Sequence, residues 1–283
     1  MPKRLLLGGK AVKLVLGPSG GHWYRVGNSP ALYPSVTTIT GAVLNKPALI
    51  PWAKKVALEN VRRVLTEFGS STIPINFDTM RLEEAWIDEV ISKSKNLPEQ
   101  VAAAAADIGT RMHKAIEMML KGQKPFSTAW VTDEDLIMPV TGFLKWWQAF
   151  DYHVEYSEAR LGSHRLRVGG STDAILRRGD GKLIVADWKS SKGIYMEMVY
   201  QLGGYALCLE EMLKEPIEEG LIIRFPKAKE NSPFEDKPLK GEHFAMAKAG
   251  FAMCKCLFDI SKSGIIPQWE PRAKVEKKAK TLV

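Results

Sequence analysis

Along this chain the apolar positions switch between two periods, and the switch from alternation to a continuous run marks its most informative stretch. Leu183, Ile184, Val185 and Ala186 form a short apolar run, the signature of a largely buried strand, which Asp187 and Lys189 then interrupt. Because side chains alternate along a strand, Leu183, Val185, Asp187 and Lys189 share one face, so a carboxylate and an ammonium emerge side by side where the apolar run ends. The segment from Gly170 to Arg178 reads as the hairpin partner, turning through Gly179-Asp180-Gly181. With those three residues as the loop and Gly181 in the left-handed position, Arg178 pairs with Lys182 and Asp173 falls opposite Asp187. A two- or four-residue loop would set Asp173 against Trp188, on the other face. The three-residue loop is the expectation. Two facing carboxylates repel unless a cation sits between them, so the hairpin alone points to a divalent-metal site.

Elsewhere the pattern is mostly helical. Pro51 to Phe68 carries apolar residues at helical spacing behind an initial proline, and a second helix is predicted from Phe77 or Thr79 to Lys93. Leu97 to Leu120 is the clearest helix: Val101, Ala105, Ile108, Met112, Ala115 and Met119 form one stripe, with Gly109, His113 and Glu117 on its flank. Thr132 to Asp135 begins a helix that carries Phe143, Trp146, Trp147 and Phe150, aromatics read as core. Further helices are predicted after Gly193, through Leu209, and from Gly241 to Ile260. Residues 4 to 43 alternate apolar stretches with Gly and Pro, predicting short strands, and Ser35 and Thr37 precede Ile39 as a helix cap that could also meet a phosphate. His153 to Leu161 and His164 to Val168 are predicted as strands around a Gly162-Ser163 turn, and Gly220 to Phe225 as another strand.

The chain has 283 residues, enough for a full core, and no apolar run long enough to span a bilayer; it is expected to be soluble and intracellular, in a bacterial cytoplasm or a phage-infected cell. Its net charge of +8 suits a polyanionic partner or simple solubility. Cys208, Cys254 and Cys256 are too few for a four-cysteine cluster, so no iron–sulfur cluster is expected. Gly17-Pro18-Ser19-Gly20-Gly21 lacks the Gly-Lys-Ser/Thr ending of a nucleotide-binding loop.

Asp173 followed by Asp187-Trp188-Lys189 resembles the PD-(D/E)XK nuclease pattern, and Gln201-Leu202-Gly203-Gly204-Tyr205 is similar to the QxxxY motif of its RecB-like branch. Gly109-Thr110-Arg111-Met112-His113-Lys114-Ala115-Ile116-Glu117 resembles the GTxxHxxxE helix of that branch. Tyr33 to Ile39, with Lys46-Pro47 and Trp52, is similar to the N-terminal segment of phage and mitochondrial-genome-maintenance-type exonucleases. The resemblance implies an α/β restriction-endonuclease-like core, a central mixed sheet flanked by helices, with a mainly helical N-terminal lobe. The corresponding boundaries are 1–96 for the lobe and its strands, 97–270 for the core, and 271–283 for a basic tail.

It further implies that Asp173, Asp187 and Lys189 are catalytic, and that His113, Asp173, Asp187 and the Trp188 carbonyl hold one or two Mg²⁺ or Mn²⁺ ions. Glu158, in a Ser-Glu-x-x-Leu context, would be an outer ligand, and Glu117 would orient the imidazole or reach the metal through water. Gln201, Tyr205, Ser35 and Thr37 would contact substrate or position the site. The implied activity is metal-dependent hydrolysis of DNA from an end, with single-stranded DNA as the partner. A structure-specific endonuclease, an RNase and a non-catalytic DNA-binding protein remain open alternatives.

Overall fold

The Gly179-Asp180-Gly181 loop closes as expected. β7 (Val168–Arg178) and β8 (Leu183–Lys189) pair antiparallel, with Ala174 opposite Ala186 and Arg177 opposite Leu183. The Arg178 amide donates to the Lys182 carbonyl at 3.0 Å, and Gly181 takes a φ of +86°, which glycine adopts without steric cost. This computed structural model describes residues 11–16, 22–44, 46, 49–67, 75–76, 81–82, 84–227 and 230–263. The Gly17–Gly21 loop, a helix start at Phe77 or Thr79, and the basic tail 271–283 lie outside the described residues.

The hairpin occupies the middle of a mixed five-stranded sheet, flanked by β6 (Tyr152–Ser163), β9 (Glu219–Arg224) and β10 (Glu235–Lys240) in the order β10-β9-β8-β7-β6. Only β8 and β9 run parallel, because α5 (Met196–Leu213) crosses between them. The fold is therefore α/β, with helices on both faces of the sheet.

Alternation along β7 and β8 divides the core. Ile175 and Val185 face a cluster with α5, α6 (Gly241–Lys262) and the N-terminal elements, whereas Ala174, Ile184, Ala186 and Trp188 face the opposite layer. That layer holds α3 (Glu84–Leu120) and α4 (Glu134–Ala149), where Phe143, Trp146 and Trp188 pack edge-on and tilted as core, as the sequence suggested. The N-terminal elements are a small sheet of β1 (Val12–Leu16), β2 (His22–Val26) and β3 (Tyr33–Pro34), followed by α1 (Val36–Val43). Val12, Tyr24, Val26 and Ile39 join the first cluster, so this segment is part of the main core. α2 (Leu49–Glu67) packs on the first half of α3, and β4 (Ile75–Asn76) pairs with β5 (Arg81–Leu82) between them.

Two expectations are corrected. The helices predicted at 79–93 and 97–120 are one 37-residue helix, and a boundary between residues 96 and 97 would cut it. Pro98 is buried within it; the lost hydrogen bond and ring clash, about 3 kcal/mol in an isolated helix, are outweighed by packing on α2 before it and on α4 and the sheet after it. The turn expected at Gly162-Ser163 lies instead at His164–Arg167, and β6 runs straight through both residues. Gly162 serves close packing: a Cβ there would stand 2.8 Å from a Val26 methyl. Among the described residues, no helix is long and apolar enough to cross a membrane.

Candidate metal centre

The β7–β8 ladder ends at Ala174 and Ala186, and beyond it side chains replace backbone bonds. The Thr172 hydroxyl donates to the Ala186 carbonyl at 2.8 Å, and the Trp188 amide donates to Asp173 Oδ2 at 2.6 Å. Strand pairing thus gives way to a splayed end in which the Asp173 carboxylate is held between the strands. Its other oxygen meets Nδ1 of His113, at 2.7 Å, from α3. Gly109, one turn earlier, lets α3 approach closely: a Cβ there would lie 3.0 Å from the Ser190 hydroxyl just past β8.

Glu158 completes the group from the neighbouring strand. It lies between the pairs Ser157/Ala174 and Ala159/Thr172, hence opposite Asp173, and its φ of +53° is one that a glutamate rarely adopts. His113, Glu158 and Asp173 each offer a ligand atom within 4.8 Å of the others. Among the described residues nothing donates a hydrogen bond to the Glu158 carboxylate. Burial, reinforced by the Asp173 charge, pushes its pKa up to about 7. Burial works against ionised Asp173 too, but His113, Lys189 and the Trp188 amide outweigh it and hold that carboxyl below its usual range. For His113, burial disfavours the imidazolium, yet Asp173 raises its pKa overall. Two carboxylates and an imidazole converging within 4.8 Å are a donor set that fits a divalent ion, with oxygen ligands suiting Mg²⁺ and the added nitrogen suiting Mn²⁺.

Asp187 and Lys189 stand next to this group on the same strand, ion-paired with each other and both largely buried. Burial raises the Asp187 pKa, with Lys189 opposing. Burial opposes charge on Lys189 as well, but Asp187 and Asp173 raise its pKa, so it remains an ammonium. Lys189 also donates to Gln201 Oε1 at 3.2 Å, and Gln201 donates to the Tyr205 hydroxyl at 2.7 Å, so the pair on α5 is wired to the site through this lysine.

The compact group and the expected ligand set share His113 and Asp173. Glu158, expected as an outer ligand, belongs to the compact group; Asp187 lies outside it, its charge taken up by Lys189 two residues on. Glu117 does not contact His113: Lys114 (2.8 Å) and Lys121 capture its carboxylate from either side on α3. Trp188 contributes its amide to Asp173 and its ring to the α3–α4 core. Ser35 caps α1 by accepting from the Thr38 amide at 2.8 Å, its hydroxyl lies 2.9 Å from that of Thr37, and it bridges Gly169. The Ser35 bridge stands roughly 13 Å along β7 from Asp173, and neither Ser35 nor Thr37 belongs to the carboxylate group. The left-handed backbone at Glu158 was missed because nothing around a glutamate in an alternating strand signals it.

No family model matches this chain, and no curated protein matches it. Among solved structures, one described as the crystal structure of SSO0001 is similar at 15% identity over 72% of this chain and 85% of that one, with a TM-score of 0.31. A likeness at that level carries no inference about the site.

Proposed function

We propose that this protein is a Mg²⁺- or Mn²⁺-dependent deoxyribonuclease of the PD-(D/E)XK type, hydrolysing phosphodiester bonds from an end of single-stranded DNA. The observation that carries the reading is the convergence of Glu158, Asp173, His113, Asp187 and Lys189 on the splayed end of one hairpin. A divalent ion held by Asp173, Glu158 and His113 would supply Lewis acidity, lowering the pKa of water and offsetting charge on a phosphate. Lys189, kept as an ammonium, is a hydrogen-bond donor rather than a base; it is placed to orient the attacking water or to neutralise charge that builds on the phosphate as the new P–O bond forms and the sugar oxygen leaves. Gln201 limits the directions Lys189 can point, and Tyr205 limits Gln201 in turn. Asp187 holds the ammonium beside the carboxylate group.

The test is degradation of end-labelled single-stranded DNA with Mg²⁺ or Mn²⁺, comparing the wild type with Lys189→Ala and Asp187→Ala at equal folded concentration. Loss of activity in both variants supports the reading, and the label's position reports the direction of attack. Cleavage of circular single strands or of RNA redirects it to an endonuclease or RNase. A wild type that binds DNA but leaves every substrate intact overturns it.

A further inference from the structure

The face of β6 and β7 that carries Glu158 and Asp173 continues past them. Alternation returns to it two residues along each strand, so the next pair is Arg160 opposite Ser171 and the one after is Gly162 opposite Gly169. Each step covers about 7 Å. Gly169 makes room for Tyr24 of β2: a Cβ directed from this face would stand 2.3 Å from the Tyr24 Cβ. Tyr24 therefore lies over the glycine pair, and it is only 3% exposed. Arg160 is exposed, and among the described residues its guanidinium makes no ion pair, whereas Arg177 on the same two strands is held by Glu155. Neither the Ser171 nor the Tyr24 hydroxyl has a hydrogen-bond partner among the described residues. Burial pushes the Tyr24 pKa up to about 12, with Arg160 opposing and Glu158 reinforcing, so the phenol stays protonated within electrostatic range of both.

We propose that Arg160, Ser171 and Tyr24 hold the backbone phosphate next to the one at the carboxylate group, so that the DNA strand runs along β6 and β7 towards their connecting turn. The inference rests on the deoxyribonuclease reading and adds to it the course of the strand. A guanidinium and two hydroxyls are the donor set that phosphate oxygens accept from, and a buried phenol without a partner carries a desolvation cost that such an acceptor removes. Spacing agrees: the donors stand one side-chain repeat from the carboxylates, the reach from one phosphate to the next in an extended strand. Charge agrees as well, because Arg165 and Arg167 in the turn beyond are exposed and make no ion pair among the described residues. Such contacts fix the register of the strand without reading its bases.

The test is fluorescence anisotropy of a labelled oligothymidylate with the full chain in chelator, over a series of salt concentrations, alongside cleavage kinetics in Mn²⁺. Arg160→Ala is expected to weaken binding about ten-fold and to lower the slope of log affinity against log salt by about 0.7, the share of one phosphate contact on a single strand. Arg160→Lys keeps the slope, because it keeps the charge, but binds more weakly than the wild type. Tyr24→Phe, which retains the ring and so the packing on Gly169, is expected to raise KM several-fold with Mn²⁺ affinity unchanged by calorimetry. Circular dichroism checks that each variant is folded. A wild type that degrades DNA, with slope and KM untouched by Arg160→Ala and Tyr24→Phe, overturns the phosphate site and leaves the nuclease reading standing. A wild type that neither binds nor degrades DNA overturns both.

Discussion

The two ends of the β7–β8 hairpin are built from similar residues and behave in opposite ways. At the loop end the ladder stays closed and each carboxylate has a cation: Arg178 pairs with exposed Asp180 at 2.7 Å and with buried Glu219 at 2.6 Å, while Lys182 pairs with Glu218 at 2.9 Å. The Arg178 guanidinium pulls the Asp180 pKa down to about 2, so this carboxylate is stable as an anion. At the far end the strands part, Asp173 replaces a ladder bond, and Glu158 is driven the other way, towards neutrality. At the loop end a carboxylate beside a fixed cation is held as an anion, whereas Glu158, buried and facing Asp173, is left with a demand that an added cation or a proton meets.

Four measurements sharpen or break that contrast. Asp173→Ala removes the acceptor for both His113 and the Trp188 amide. It is expected to abolish Mn²⁺ binding by calorimetry and to lower the proposed nuclease activity by at least about 10³-fold, whereas Asp180→Ala leaves both unchanged. Lys189→Ala is expected to lower kcat about 10²-fold or more while Mn²⁺ still binds; equal loss of metal affinity would make the lysine structural.

Glu158→Gln tests the stored demand without substrate. A folded-state pKa near 7 against an ordinary 4.5 means that the folded protein binds the extra proton between those values. Stability from this group is therefore present below about pH 4.5 and lost as pH rises through 7. In chelator, the wild type should lose up to about 3 kcal/mol across that window relative to Glu158→Gln, measured by urea unfolding at several pH values. Parallel curves would show that burial does not strain this carboxylate. Smallest is Gly181→Ala, which forces alanine into a left-handed conformation and should cost about 1 kcal/mol in thermal unfolding with metal binding intact.

The hairpin register was legible because Gly-Asp-Gly restricts the loop and one buried face forbids a one-residue slip. The helix stripe through Met112 and Met119 was legible for the same kind of reason. What escaped were features decided by distant packing. Pro98 reads as a helix stop until neighbours on both sides hold the helix together, and Gly162 reads as a turn until Val26 presses against it. The ion pairs around the site were not legible, because motif spacing says which carboxylates come near each other, not which one a lysine captures. Lys189 took Asp187, and Lys114 and Lys121 took Glu117. β10 went unread because its Glu-Asp-Lys-Pro start has almost no strand propensity and pairs only as an edge.

The continuity of α3 has a mechanical consequence. Its helix is about 55 Å long, clamped near Met112–Met119 by the sheet layer and carrying the α2 hairpin at its other end. Rotation by about 5° around Met112 would carry Glu84 through roughly 4 Å while moving the His113 backbone by only about 0.1 Å. The histidine sits at the fulcrum of a long arm, so movement of the outer hairpin leaves the distance between imidazole and carboxylate nearly unchanged.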